Sequence, residues 1–135
     1  MKLSLRIREL EDITVICCRG KIAYRDEAEA LFLRASSLLK QKRILVFDLS
    51  EVDELDGAGL GKLAGIRAQA IQLETPVALC GVNGVVREVL ELTRLSSVFL
   101  IYSDIDQAVR NMRPRDPSPR QSSFSLEAVA PSTLL

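Results

Sequence analysis

The amino-acid sequence predicts an α/β domain with a mostly parallel β-sheet, an antiparallel hairpin at one edge, and about four helices packed on the sheet. Two neighbouring segments near the N-terminus read as strands, the first with period-two alternation, and a short turn between them predicts a hairpin. Helix-spaced apolar segments then alternate with short, continuous apolar runs, an order that requires parallel strands joined by right-handed crossovers. The predicted element order is β-β-α-β-α-β-α-β-α, within a domain that comprises residues 1–112.

The first half of the pattern begins with the hairpin. The segment LSLRIREL places Leu3, Leu5 and Ile7 on one face of a strand, and a turn at residues 9–12 leads to ITVICCRGKI, which is apolar on both faces at its centre. The segment RDEAEALFLRASSLLK has apolar residues at helical spacing. The run RILVFDLS predicts a central strand that is covered on both faces and ends at Ser50.

The second half continues the alternation of helix and strand. GAGLGKLAGIRAQAIQLE predicts a helix that Asp56 caps. Its expected core-facing stripe comprises Leu60, Leu63, Ala64 and Ile71. PVALCGV predicts a buried strand, after which Asn83 is expected to cap the helix GVVREVLELTRL. VFLIYS predicts the last strand, and Asp104 is expected to cap IDQAVRNM, with Gln107 at capping-box spacing.

The composition changes sharply after Met112. Residues 113–135, RPRDPSPRQSSFSLEAVAPSTLL, contain four of the five prolines together with five serines. Such a stretch is unfavourable for a regular helix or strand of useful length. It is therefore predicted to be a Pro/Ser-rich, disordered C-terminal tail.

Composition also argues against several classes of function. Lys plus Arg and Asp plus Glu both number 18, so the zero net charge does not indicate binding to nucleic acid or to an anionic membrane. The absence of histidine removes the most frequent general base and metal ligand. Cys17, Cys18 and Cys80 lack a metal-binding spacing and are expected to be buried thiols. The charged N-terminus does not resemble a signal peptide, and no run is long enough for membrane insertion. We therefore expect a cytoplasmic binding protein, not an enzyme, without cofactor or metal.

Residues 56–63, DGAGLGKL, resemble a phosphate-binding loop, but the spacing is wrong. A P-loop needs glycine where Asp56 stands and a hydroxyl residue where Leu63 stands. The acidic residues just before the helix would also repel a phosphate, and Lys62 is expected to pair with them. A nucleotide site is therefore not predicted here.

The glycines of this segment have a different interpretation. Gly57, Gly59 and Gly61 are one residue short of the dinucleotide fingerprint. Glycine inside a helix costs about 1 kcal/mol relative to alanine, so its presence favours a close approach of the backbone to a sheet or to another protein. Gly57 is expected at the exposed start of the helix.

The segment ILVFDLSEVDELDGAGLGKL resembles the signature of the STAS domain family, which includes anti-sigma factor antagonists and sulfate-transporter tails. The matching residues are Asp48, Leu49 and Ser50 at the strand end and Asp56, Gly59, Leu60 and Gly61 at the helix start. The order of elements over residues 1–112 also fits, as does PVALCGVNGVVREVLELTRLSSVF. The resemblance implies a single STAS-like α/β domain.

The resemblance implies that the protein regulates a partner by binding it. In the typical antagonist, a serine follows the aspartate, and a partner kinase that is itself the anti-sigma factor phosphorylates this serine. The unmodified form binds the kinase and frees the sigma factor. Gly57 occupies the serine position here and Ala58 follows, so neither residue can be phosphorylated. Two alternatives remain open, an accessory subunit beside an ABC transporter ATPase and a scaffold of a stressosome-like complex.

The expected partner-binding surface combines the start of the predicted helix with the loop after the second strand. Its residues are Lys21, Tyr24, Arg25, Asp56, Gly57, Ala58, Gly59 and Leu60. Ser50 is expected to be a poor substitute phosphosite, because a hydroxyl at a strand end satisfies backbone groups in the turn. The sequence does not indicate an oligomeric state.

Overall fold

Five strands form one sheet in the order β1-β2-β3-β4-β5 in the computed structural model, which describes residues 3–113. The strands are β1 (Leu3–Leu10), β2 (Ile13–Ile22), β3 (Ile44–Leu55), β4 (Val77–Cys80) and β5 (Leu100–Tyr102). The helices are α1 (Arg25–Lys40), α2 (Gly57–Gln72), α3 (Gly84–Leu92) and α4 (Ile105–Met112), with a short 3-10 helix at Leu95–Ser97. β1 pairs antiparallel with β2 and all other neighbours are parallel, which confirms the predicted fold class and element order. The predicted disordered tail lies outside the described residues, apart from Arg113.

Apolar side chains fill a layer on each face of the sheet. Helices α1, α2 and α3 cover one face, where Ile16, Phe47 and Leu79 are fully buried. Helix α4 covers part of the other face through Ala108 and Met112. Alternation along the strands explains both layers, since successive residues point to opposite faces.

The three cysteines are divided between these layers. Cys18 lies in the core beneath α1 to α3, whereas Cys17 and Cys80 belong to the α4 side, so the neighbouring Cys17 and Cys18 point to opposite faces. Cys18 and Cys80 are buried, and Cys17 is half-buried. Burial raises the pKa of the Cys80 thiol to about 12 and, more modestly, that of Cys17, so both thiols stay protonated near neutral pH.

Strand β3 is longer than the sequence indicates. Its predicted end at Ser50 is wrong, because the strand continues to Leu55 and pairs with the last residues of β2. Two register shifts occur in this part of the pairing, and β3 contributes an additional residue at each. Such bulges interrupt the period-two pattern, which is why the segment SEVDEL reads as a loop in the sequence. We call the paired segments Arg19–Ile22 and 51–55 the β2–β3 arm.

Two details of the helices also differ from expectation. Leu63 is buried as predicted, but Ile71 is 58% exposed, and Gly59, Ile66 and Ala70 complete the buried stripe of α2. These four buried residues recur at helical spacing on one face, and Ile71, about 100° further round the helix than Ala70, lies to the side of that face. Asn83 is the first residue before α3, but its side chain makes no capping hydrogen bond.

Candidate functional site

Asp56 organises the N-terminus of α2. Its side chain accepts a hydrogen bond from the Gly59 backbone N–H at 2.9 Å, which confirms the predicted N-cap. Its second carboxylate oxygen accepts a hydrogen bond from the Tyr24 backbone N–H at 3.0 Å. These two bonds lower the pKa of the Asp56 carboxyl, because both stabilise its charged form. One carboxylate therefore connects the start of α2 to the loop between β2 and α1.

Gly59 is the point of closest approach between α2 and the sheet. A Cβ atom added there would overlap the backbone carbonyl oxygen of Ile22 and lie 2.8 Å from its Cγ2. The predicted close approach thus holds at Gly59. It does not hold at Gly61, where an added Cβ would meet nothing within 4 Å.

Gly57 and Ala58 form the exposed part of this helix start. Both are exposed, and a Cβ added to Gly57 would also meet nothing within 4 Å among the described residues. Leu60 is half-buried and packs against the core beneath α1 to α3. We call Asp56–Leu60 the helix entrance; it presents two small residues to solvent at a helix start that Asp56 caps.

Tyr24 lies beside the helix entrance. Its φ of 67° is unusual for a residue with a side chain, and the hydrogen bond to Asp56 helps to hold this conformation. Its side chain is 45% exposed. Arg25, also exposed, follows as the first residue of α1. The structure therefore brings the predicted loop residues Tyr24 and Arg25 next to the entrance.

Lys21 points along the β2–β3 arm. Its amine lies 3.2 Å from Glu54 and 3.5 Å from Asp53. The hydrogen bond to Glu54 and the charge of Asp53 raise the pKa of this amine. A third exposed pair, Arg19 with Glu51 at 3.4 Å, continues the same row of charges. Sequence reasoning missed this row, because it appears only when β2 and β3 pair beyond the predicted strand end.

Lys62 does not pair with the acidic residues that precede α2, so that expectation is wrong. Its amine lies 2.7 Å from Glu29 of α1 and 4.8 Å from the centre of the Phe32 ring. The helix periodicity explains this geometry, since position 62 faces α1, whereas the acidic residues lie on the arm or, in the case of Asp56, cap the helix. The lysine of the DGAGLGKL segment therefore bridges α1 and α2 at their partly exposed edge.

Residues 3–113 contain neither a metal-binding cluster of side chains nor a helix that could span a membrane. Over that range, no group of three or more His, Cys, Asp or Glu side chains is placed to hold a metal ion. None of the helices described above is both long enough and apolar enough to cross a bilayer. The helix entrance presents the small residues Gly57 and Ala58 to solvent, next to the Asp56 carboxylate that caps the helix.

Comparisons with known proteins agree with the sequence signature. The family model for the STAS domain matches residues 4–108. A relative from Bordetella bronchiseptica, BtrV, is named as an anti-sigma factor antagonist; it is 24% identical over 106 residues, which are 78% of this chain and 91% of the relative. The structure of an anti-sigma factor antagonist from Mycobacterium paratuberculosis has a TM-score of 0.74 and 24% identity, covering 83% of this chain and 95% of its own. A protein of Thermotoga maritima described as an anti-sigma factor antagonist has a TM-score of 0.72 and 22% identity, covering 82% and 95%.

Proposed function

Because this chain belongs to the STAS domain family, we propose that it is a cytoplasmic regulator of the anti-sigma factor antagonist type that binds a kinase-type anti-sigma factor. The helix entrance, Asp56–Leu60, forms the centre of the contact. Tyr24 and Arg25 form one side of it, and Lys21 lies on the neighbouring arm. The observation that carries this proposal is the rigid, exposed entrance, which the hydrogen bonds of Asp56 hold in place.

The same proposal includes a constitutive mode of binding. Gly57 stands where the typical antagonist has its phosphorylated serine, and Ala58 next to it also lacks a hydroxyl. Phosphorylation would place a charge of about −1.5 to −2 at the centre of the contact and would oppose binding. Without an acceptor at the entrance, kinase activity of the partner does not release this protein.

Substitution of Gly57 by serine tests this proposal. The backbone there accepts a side chain without strain, and an added Cβ has open space around it. We expect the Gly57→Ser variant to fold normally, to be phosphorylated by the partner kinase, and to lose partner binding when ATP is present. The wild-type protein should keep the partner in ATP, with no phosphate at residues 56–60. Phosphopeptide mass spectrometry and titration calorimetry with and without ATP measure both effects.

Gly61→Ser is the matched control, because it adds the same hydroxyl one helical turn away at an equally open, exposed glycine. It should remain unphosphorylated and ATP-insensitive. The partner itself is identified by affinity capture from the host with wild type and with Asp56→Ala. Recovery of an ABC transporter ATPase, or of a large scaffold, without an anti-sigma kinase would refute the proposal and support one of the two alternative functions.

A further inference from the structure

The sheet face that α4 occupies is only partly covered. Helix α4 packs over β2 to β5, and alternation along β1 turns Leu3, Leu5 and Ile7 to the opposite face. Arg6 and Arg8 therefore point to the α4 side and remain exposed. They line a depression of about 370 Å³ beside α4, together with Cys17 and Asp48.

Opposite charges lie next to each other on this face without pairing. We call Arg6 and Arg8 the arginine stripe. The acidic patch comprises Asp48, Asp104 and Asp106. Arg8 and the acidic patch line a second depression, of about 350 Å³. Within residues 3–113, neither arginine has a carboxylate within 4 Å, and none of the three carboxylates has a Lys or Arg nitrogen within that distance.

The pairing of the strands separates Arg6 from Asp48 within one molecule. Arg6 lies opposite Cys17 on β2, and Cys17 lies opposite Asp48 on β3. Arg6 and Asp48 are thus two strands apart, roughly 10 Å between backbones. Arg19, by comparison, is only one strand away from Glu51 and forms an ion pair with it at 3.4 Å.

A face with adjacent, unpaired patches of opposite sign is complementary to a copy of itself rotated by a two-fold axis, since each patch then meets its opposite. We propose that this face binds a second copy of the chain, with the arginine stripe of each copy against the acidic patch of the other. A partner of one charge alone would neutralise one patch and leave the other unpaired. The face therefore fits its own copy better than it fits a uniformly acidic or basic protein.

This dimer leaves the proposed regulatory site accessible. Helix α2 packs on the opposite face of the sheet from α4, so Gly57 stays exposed in each copy. The proposal therefore stands independently of the proposed function. It also gives a dimer two helix entrances, one for each of two partner molecules.

Sedimentation velocity of the full chain tests this inference. We expect a reversible monomer–dimer equilibrium that shifts to monomer as salt rises, because both contacts are between exposed charges. Arg8→Glu and Asp106→Lys should each weaken the dimer about tenfold or more. In a two-fold dimer each substitution occurs at two symmetry-related contacts and places like charges against each other at both. An equimolar mixture of the two variants should recover the dimer, because each altered patch then meets a complementary one.

The matched control is Arg34→Glu, a charge reversal of an exposed arginine on α1, which should leave the dimer unchanged. Circular dichroism of every variant checks the fold, and Arg8→Gln provides a milder change if a reversal disturbs it. A wild-type chain that stays monomeric at several hundred micromolar would overturn the proposal. So would a dimer that both reversals leave intact, or reversed variants that do not pair when mixed.

Discussion

The contact between Gly59 and Ile22 makes a sharp prediction about stability. In the Gly59→Ala variant, the added methyl group overlaps a backbone carbonyl oxygen of β2. A backbone atom cannot rotate away as a side chain does, so α2 must move away from the sheet. Overpacking of this kind costs about 1–3 kcal/mol of the free energy of unfolding, although alanine is the better helix former.

Gly61→Ala provides the matched comparison in the same helix. An added Cβ there meets nothing within 4 Å, so only the helix propensity changes. This variant should be more stable than wild type by about 0.5–1 kcal/mol. The free energies of unfolding of the two alanine variants should therefore differ by about 1.5–4 kcal/mol, with Gly59→Ala below wild type and Gly61→Ala above it.

Urea unfolding followed by far-ultraviolet circular dichroism measures this difference, and the chain contains no tryptophan for a fluorescence signal. The slope of the unfolding free energy against urea concentration should be the same in all variants. The shift in the midpoint of the unfolding transition then reports the change in stability. If Gly59→Ala is as stable as Gly61→Ala, the reasoning about close approach is refuted. A loss of stability in both variants would refute it as well, since it would trace to the helix and not to β2.

Two further predictions concern the cap and the core. Asp56→Ala removes the cap of α2 and the bond to Tyr24, and should lower the free energy of unfolding by about 0.5–2 kcal/mol near pH 7. Because folding lowers the pKa of this carboxyl, its contribution is fully present above the ordinary Asp pKa of about 3.9 and disappears as pH falls through the folded value, so wild type and variant should converge in acid. Phe47→Ala, at a fully buried position, should lower the free energy of unfolding by about 3–5 kcal/mol in the same urea assay. Leu92 is 78% exposed, so the control Leu92→Ala should change that free energy by less than about 0.5 kcal/mol.

Much of the fold could be predicted because its signals are local. Residues 13–22, 25–40 and 105–112 form the predicted elements with the same bounds. The cap by Asp56 was predictable for the same reason, since a cap involves residues within one helical turn. The STAS signature also lies in one continuous segment, and the family comparison agrees with it.

The errors concern positions where a distant part of the chain decides the outcome. The extension of β3 depends on pairing with β2, and the bulges that allow it remove the alternation that a strand prediction needs. Lys62 pairs with Glu29, which is 33 positions away in the sequence and adjacent only because α1 packs on α2. Ile71 is exposed because the face of α2 that packs on the sheet comprises Gly59, Leu63, Ile66 and Ala70, and the packing of α2 on the sheet selects that face.

The order of strands and helices and the start of α2 could be read from the sequence alone. These features depend on the periodicity of apolar residues, the spacing of motif residues and hydrogen bonds between near neighbours in the sequence. Tertiary packing, by contrast, brings Asp56 to the Tyr24 backbone, places Gly59 against Ile22, and puts Arg6 and Asp106 on one face of the molecule. Each of these depends on which strands and helices become neighbours, and that choice comes from packing across the whole sheet.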